Sequence, residues 1–251
     1  MKTMPHIEGK GHTKRKGQRA NGRVPLNRAL SKLGVLSRAQ ATEAILSGRV
    51  RVDGRLVRNP LLPVVPEQAR IDVDEGRATK AAWRTILFHK PRGVVTTRTD
   101  PEGRPTVYDV LGDAGRGLIA VGRLDLATAG LLLLTSDTQL ANWMTDPANA
   151  VPRLYVVTVR GRVTSDAVAS LSGHITLRKA SARESHLLVE LREGKNRQVR
   201  RMFAAIGHEV TALKRVRFGG LDLGPIEPGA HREILRKEIA NAFPGAPLRE
   251  V

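Results

Sequence analysis

Near the start of the chain, apolar residues recur at the three- to four-residue spacing of an amphipathic helix. Further along, they occur mainly in short runs typical of strands. Leu26, Leu30 and Leu33 recur at helical spacing and stop at Gly34. They predict a helix that ends at a glycine cap. A second helix is predicted to start at Ser37 and to end at Gly48. The first part of the chain is therefore expected to be rich in helix.

A hairpin signal follows these two helices. Asp53-Gly54 interrupts an alternating segment, with residues 49–52 on one side and 55–57 on the other. This dipeptide between alternating residues predicts a two-residue β-hairpin turn. Residues 24–73 are therefore interpreted as a small domain of two helices and a hairpin. Residues 74–84 are polar and are interpreted as a linker.

The remaining chain, residues 85–245, predicts a second and larger domain. Short apolar or β-branched runs alternate with short amphipathic segments, which is typical of an α+β domain with a mainly antiparallel mixed sheet. Strands are predicted at residues 86–88, 118–121, 131–134, 154–159, 186–191 and 213–218. Short helices are predicted at residues 107–111, 137–144, 165–171, 193–206 and 233–240.

The net positive charge of the chain indicates what kind of partner the protein binds. The chain carries 42 Lys and Arg against 24 Asp and Glu, a formal net charge of +18. Such a charge favours a polyanionic partner. Residues 1–23 hold seven of these basic residues and one acid, and are expected to form a disordered basic arm. The arm either lies along phosphates or is a solvated tail, and the sequence leaves both open.

Several classes of protein are excluded or disfavoured by what the sequence lacks. There is no cysteine, and the seven histidines show no metal-ligand spacing, so no disulfide or metal site is expected. No apolar run approaches the ~18 residues of a membrane span. The N-terminus does not resemble a secretion signal, and no lipidation signal supports a peripheral membrane protein. A soluble cytoplasmic protein is expected.

The candidate for chemistry is Asp125, in a turn between the apolar runs 118–121 and 131–134. Arg123 stands two residues before it. A scaffold commonly presents catalytic groups on such a loop between rigid strands. Taken alone, however, the residue is better explained as a turn aspartate that accepts backbone hydrogen bonds.

A resemblance favours the catalytic reading. Gly-Arg-Leu-Asp-x-x-Thr-x-Gly-Leu-Leu-Leu-Leu-Thr, residues 122–135, resembles the active-site motif of ribosomal pseudouridine synthases of the RsuA and RluB type. The resemblance implies that Asp125 is the catalytic nucleophile and that no cofactor is needed. It also implies that Arg123 fills the gap left by an everted base, and that Tyr155 stacks on that base. From the residues alone, core packing is the alternative for Tyr155, and a second carboxylate partner is the alternative for Arg123.

Two further segments carry the resemblance. Residues 193–200, Glu-Gly-Lys-Asn-Arg-Gln-Val-Arg, resemble a third family motif, which implies an ion pair between Arg200 and Asp125. A solvent-facing basic residue is the alternative for Arg200. With Arg200 paired to Asp125, Lys195 and Arg197 are expected to contact phosphates. Lys90, in Lys-Pro-Arg-Gly, belongs to another family hallmark and is expected on the RNA-binding side.

The small domain has its own resemblance. Its order of elements, with Arg38, Arg49 and Arg51 on them, resembles the RNA-binding module first seen in small-subunit ribosomal protein S-four. Residues 100–106 look more like the large-subunit enzymes. The sequence thus predicts a monomeric synthase acting on 23S rRNA or a pre-ribosomal particle. A 16S enzyme and a non-catalytic ribosome-assembly factor are the alternatives.

Overall fold

The computed structural model describes residues 22–36, 38–74, 76–78 and 82–248. Most of the expected basic arm, and Ser37 at the start of the second helix, lie outside the described residues. The chain divides into two compact units, one up to residue 79 and one from residue 80. Each unit is described separately below.

The smaller unit combines two helices with short strands. Its elements are Val24–Pro25 (β1), Leu26–Lys32 (α1), Arg38–Leu46 (α2), Val50–Val52 (β2), Arg55–Leu56 (β3), Pro63–Val64 (β4), Ile71–Val73 (β5) and Gly76–Arg77 (β6). The strands form an antiparallel sheet in the order β3-β2-β5-β6, and β1 pairs with β4. Leu26, Leu30, Ala41 and Ile45 pack the helices together and are completely buried.

The hairpin is where the sequence predicts it. β2 and β3 pair antiparallel across Asp53 and Gly54, whose φ angles are 51° and 79°. A two-residue hairpin turn with positive φ at both positions matches the twist of the strands, and Asp-Gly tolerates that conformation.

The segment interpreted as a linker is partly paired structure. β6 pairs with β5, so Gly76 and Arg77 extend the sheet of the smaller unit. At the other end of the segment, the backbone N–H of Arg84 donates to Ser136 Oγ over 2.9 Å. The polar composition of this segment reflects its exposure, and the sequence alone does not distinguish an exposed edge strand from a connector.

The larger unit is built on one mixed sheet. Its strands are Thr85–Lys90 (β7), Ile119–Ala120 (β8), Ala129–Thr135 (β9), Arg153–Arg160 (β10), His174–Ala180 (β11), Glu184–Leu191 (β12), Val210–Phe218 (β13), Leu221–Asp222 (β14) and His231–Glu233 (β15). Its helices are Val107–Leu111 (α3), Thr138–Thr145 (α4), Ser165–Ala169 (α5), Gln198–Ala205 (α6) and Arg236–Ala242 (α7). The expected α+β class is thereby confirmed.

The sheet runs β11-β12-β10-β13-β9-β7-β15, with β14 on β13 and β8 on β9. All of these pairs are antiparallel except β9 with β13. That parallel contact joins Ala129 to Lys214 and Gly130 to Arg215. It brings the loop before β9 beside the strand that follows α6, and these two segments are far apart in sequence.

Helices cover the sheet with apolar side chains. Leu131, Leu133, Leu140 and Ile239 belong to a buried cluster that includes residues of α4 and α7. On the β10–β12 side, Val157, Val189 and Phe203 belong to a second cluster that includes α6. These two clusters hold in place the strands that carry residues of the candidate site.

Some elements differ from the sequence-based expectation. β11 is not predicted because none of its side chains is fully buried, so it lacks a continuous apolar face. The last helix starts at Arg236 and not at Glu233, because Glu233 belongs to β15 and pairs there with Ile86 of β7. α5 is capped by Thr164, whose side chain accepts from Ala167 N. No helix within the described residues is long and apolar enough to cross a bilayer.

Gly130 makes the parallel contact between β9 and β13 possible, and this predicts the effect of substituting it. Its φ is +111°, and an added Cβ would lie 2.6 Å from Arg215 N and closer still to Arg215 O. Gly130→Ala is therefore expected to lower the free energy of unfolding by about 3 kcal/mol or more, measured by urea denaturation.

Gly224→Ala is the matched control for this substitution. Gly224 also has a positive φ, +63°, but nothing lies within 4 Å of an added Cβ. It should cost only about 1 kcal/mol. Equal losses in the two variants would show that backbone strain, and not the close approach to β13, sets the effect.

Candidate functional site

The loop that carries Asp125 is held through its backbone. Each of the five consecutive carbonyls from Leu124 to Thr128 accepts at least one hydrogen bond. The donors are Thr96 Oγ1 to Leu124 O (2.8 Å), Thr128 N to Asp125 O (2.9 Å), Gly93 N to Leu126 O (2.9 Å), Arg200 Nη2 to Ala127 O (3.1 Å) and Lys90 Nζ to Thr128 O (2.8 Å). The backbone on both sides of the Asp125 side chain is therefore fixed by a bond within the loop and by contacts from two other segments, residues 90–96 and α6.

Lys90 is the central donor of this arrangement. Its side chain has no exposed surface, and Nζ donates to Pro91 O (3.0 Å), Asp125 O (3.2 Å) and Thr128 O (2.8 Å). Burial lowers the pKa of Lys90 to about 8, and the charge of Asp125 opposes that change. The expected RNA contact by Lys90 is corrected, because a fully buried ammonium group engaged by three carbonyls does not reach a phosphate.

One pocket gathers five of the ten residues that the sequence singles out. Arg123, Asp125, Tyr155, Lys195 and Arg197 all line it. Asp125 is half-buried and Arg123 is exposed. Among the described residues, no side chain donates a hydrogen bond to the Asp125 carboxylate and no cation lies within 4.0 Å of it. The carboxylate is thus left available to a molecule that enters the pocket.

Arg200 is close to Asp125 but does not form the expected direct ion pair within the described chain. Its Nη1 donates to Val210 O (2.8 Å) and its Nη2 to Ala127 O (3.1 Å), so both ends of the guanidinium are occupied by backbone. Burial first, and then repulsion from Arg197, lowers the pKa of Arg200, while attraction to Asp125 opposes this. Arg200 therefore ties the Asp125 loop to β13, with the carboxylate at longer range.

Tyr155 lies next to two buried arginines, Arg153 and Arg215, that the sequence analysis does not identify as site residues. It is 9% exposed and is the cross-strand partner of Arg215, which is 3% exposed. Burial lowers the pKa of Arg215, and interaction with the Tyr155 phenol opposes this. Arg215 and Arg153 lie 5.0 and 5.1 Å from the centroid of the Phe218 ring. Arg215 lies two residues after the apolar Leu213 on β13, so the strand pattern places both side chains on one face. This spacing is the sequence signal that predicts a buried Arg215.

The segment before α6 forms its own small network. Lys195 Nζ lies 2.8 Å from Glu193 Oε2, and Gln198 Nε2 donates to Glu193 Oε1. The contacts with Lys195 and Gln198 keep the pKa of the Glu193 carboxyl below its usual range, although burial opposes them. Arg197 adopts the left-handed conformation with φ 47°, which is uncommon for a residue with a side chain. This network places Gln198 on the pocket wall.

The basic residues expected to bind RNA in the smaller unit are on its surface. Arg38 is exposed. Arg49 forms a bidentate pair with Asp74, with both N–O distances 2.7 Å, and Arg51 donates to Gly54 O over 3.3 Å. In the described part of the chain, no group of three or more His, Asp or Glu is arranged to hold a metal ion.

The buried ammonium of Lys90 predicts a pH dependence of stability. Its pKa is about 8 in the fold against 10.5 for a free lysine. Between these values the unfolded chain binds more protons, so the contribution of Lys90 to the free energy of unfolding rises with pH. The free energy of unfolding of wild type should therefore rise relative to that of Lys90→Met by roughly 2 kcal/mol across this range, less than the full shift implies because each state is only half titrated at its own pKa.

Urea denaturation of both proteins at several pH values between 8 and 10.5 tests this expectation. Other titrating groups are shared by the two proteins and cancel in the difference. A difference that stays flat over the whole range would mean that Lys90 does not titrate there.

Comparison with known proteins agrees with this geometry. Residues 84–205 match the family described as RNA pseudouridylate synthase, and residues 24–83 match the S4 domain. An uncharacterized RNA pseudouridine synthase of Aquifex aeolicus is 34% identical over 241 residues, which are 91% of this chain and 97% of that protein.

Two further similarities extend over most of the chain. Ribosomal large subunit pseudouridine synthase B of Bacillus subtilis is 34% identical over 228 residues, 85% of this chain and 93% of that protein. A crystal structure of a pseudouridylate synthase is 27% identical, covers 88% of this chain and 99% of its own, and has a TM-score of 0.59. The chain therefore belongs to the RNA pseudouridine synthase family, with an S4 domain before its catalytic domain.

Proposed function

We propose that this protein converts one uridine of large-subunit rRNA, 23S rRNA in bacteria, into pseudouridine, and that Asp125 is the catalytic carboxylate. The observation that carries the proposal is the Asp125 loop, whose five consecutive carbonyls are all engaged while the carboxylate itself is free among the described residues. The similarity to a large-subunit synthase over 85% of the chain supports the choice of rRNA.

The reaction is an isomerisation that this set of side chains is suited to perform. The bond from ribose C1′ to uracil N1 breaks, the ring turns, and C1′ joins C5. N1 gains a proton and C5 loses one to water, so no oxidant or reductant is consumed. The reaction needs a placed carboxylate and a pocket that holds the detached base, and Asp125 with the pocket walls supplies both.

Tyr155 and Arg123 are assigned to the base that leaves the RNA stack. The buried ring of Tyr155 lines the pocket beside Asp125 and offers a flat face for stacking, which is worth ~1–3 kcal/mol per base. Arg123 lines the same pocket but is exposed, a position from which it fills the gap left in the RNA. Eversion of a base costs a few kcal/mol, so such a replacement group lowers the barrier.

The remaining basic residues are assigned to phosphates. Arg197, Arg38 and Arg51 have no carboxylate within 4.0 Å in the described chain. Lys195 and Arg49 are paired with Glu193 and Asp74 and would exchange these partners for phosphate oxygens. The smaller unit then serves as the RNA-holding module and the larger unit as the catalytic domain. We further propose that the protein is a monomer and acts in the cytoplasm, on rRNA or on an assembling ribosomal particle.

Asp125→Asn tests the assigned carboxylate. The amide is nearly isosteric but has no negative charge, so rRNA binding should be retained while catalysis stops. The measurement is tritium release from 23S rRNA labelled at uridine C5, with mapping of pseudouridine in the product to identify the target. Asp113→Asn, at a carboxylate that is 88% exposed, is the charge-matched control and should behave as wild type. Release by Asp125→Asn at the wild-type rate would refute the assignment.

Arg200→Ala tests whether Arg200 acts on the Asp125 loop or on RNA. Loss of the bond to Ala127 O should let the loop move and slow turnover roughly ten- to a hundredfold, with little change in affinity. Arg201→Ala, at the exposed neighbour on α6, is the control. If Arg200→Ala instead reduces only affinity and makes its salt dependence shallower, Arg200 contacts phosphate.

A further inference from the structure

Buried polar atoms without a hydrogen-bond partner gather around the pocket. In the part of the chain that the structure describes there are six such side-chain atoms, and four of them are at this site. They are Thr128 Oγ1, Gln198 Oε1, Arg200 Nε and Arg215 Nη2. An unpaired buried polar group is costly, and proteins commonly retain one where water or a bound molecule supplies its partner. Of the four residues, Thr128 and Gln198 line the pocket itself.

The orientation of the Gln198 amide is determined by its neighbours. Its Nε2 donates to Glu193 Oε1, and the other oxygen of Glu193 is held by Lys195 Nζ at 2.8 Å. The pKa of Glu193 lies below its usual range, so this carboxylate accepts and does not donate. The NH₂ end of the amide must therefore face Glu193, which leaves the carbonyl oxygen Oε1 as the unpaired end.

This carbonyl oxygen suits one edge of a nucleobase. Uracil presents a carbonyl, an N–H and a second carbonyl along its pairing edge, so its N3–H requires an acceptor. Cytosine presents a bare acceptor nitrogen at the same place, and two acceptors facing each other repel. Enzymes that evert a base commonly identify it by hydrogen bonds to this edge.

We propose that Gln198 Oε1 accepts the hydrogen bond from N3–H of the everted uracil and so selects uracil over cytosine. The N3 proton stays on the base throughout. Glu193 acts through Gln198 and is a positioning residue. The inference rests on the proposed function and deepens it, because it assigns the group that recognises the base in the pocket of Asp125.

The test uses the full-length protein and a stem-loop RNA that contains the mapped target. The target carries either uridine or 3-methyluridine, each tritiated at C5, and tritium release is measured in single turnover. With wild type, 3-methyluridine should react at least about tenfold more slowly than uridine, because the methyl group removes the donor and meets Gln198 Oε1. Gln198→Ala removes the acceptor and makes room for the methyl group.

Gln198→Ala should therefore lose about tenfold on uridine and should no longer distinguish the two substrates. Gln139→Ala, at an exposed glutamine of α4, should retain the wild-type ratio of rates. Urea denaturation of all variants checks that each is folded. If Gln198→Ala rejects 3-methyluridine as strongly as wild type does, Gln198 does not contact N3 and the inference is overturned.

Glu193→Gln separates positioning from direct contact. The introduced amide both donates and accepts, so the Gln198 amide is free to turn and the uridine to 3-methyluridine ratio should move part of the way towards one. An unchanged ratio would remove Glu193 from the proposal. Wild type with uridine is the internal reference: absence of its tritium release would refute the proposed function, whereas normal release with an unaltered ratio in Gln198→Ala would refute this inference alone.

Discussion

The geometry of the candidate site depends on the hydrogen bonds made by one buried ammonium group. Lys90 Nζ joins the end of β7 to the loop before β9 through Pro91 O, Asp125 O and Thr128 O. A buried charge is costly unless it is well solvated by the protein. Here the carbonyl dipoles of the loop supply that solvation, so the loop and the charge hold each other in place, and the Asp125 side chain projects from a backbone with little freedom.

A second feature of the site is a group of arginines that form no ion pair among the described residues. Arg153, Arg200 and Arg215 donate to backbone carbonyls, and within the described residues none has a carboxylate within 4.0 Å. Burial lowers the pKa of each of them. A protein optimised only for stability would not retain such groups. Beside a pocket proposed to receive RNA, however, guanidinium groups without a carboxylate partner attract the anionic substrate.

Two segments distant in sequence meet here because β9 and β13 pair in parallel. Gly130 permits the close approach, since any side chain at this position would overlap the backbone of Arg215. The contact sets Asp125, which precedes β9, beside Tyr155, whose strand lies on the other side of β13. The start of α6 lies at the same pocket, so that Gln198 and Asp125 both line it. The fold thus brings together the Asp125 carboxylate, the proposed stacking surface of Tyr155 and the proposed base-reading amide of Gln198.

The sequence by itself determined the parts that local signals control. Asp53-Gly54 gave the hairpin because only such residues adopt its turn, the apolar run before Thr135 gave a buried strand, and the motif around Asp125 gave the family. Only the tertiary structure decided where the charges go: Lys90 inward to carbonyls, Arg200 to the loop backbone, and Arg215 behind Tyr155. A charged side chain looks alike in sequence whether it faces water or a buried carbonyl, because its partner is supplied by a segment that only folding brings near.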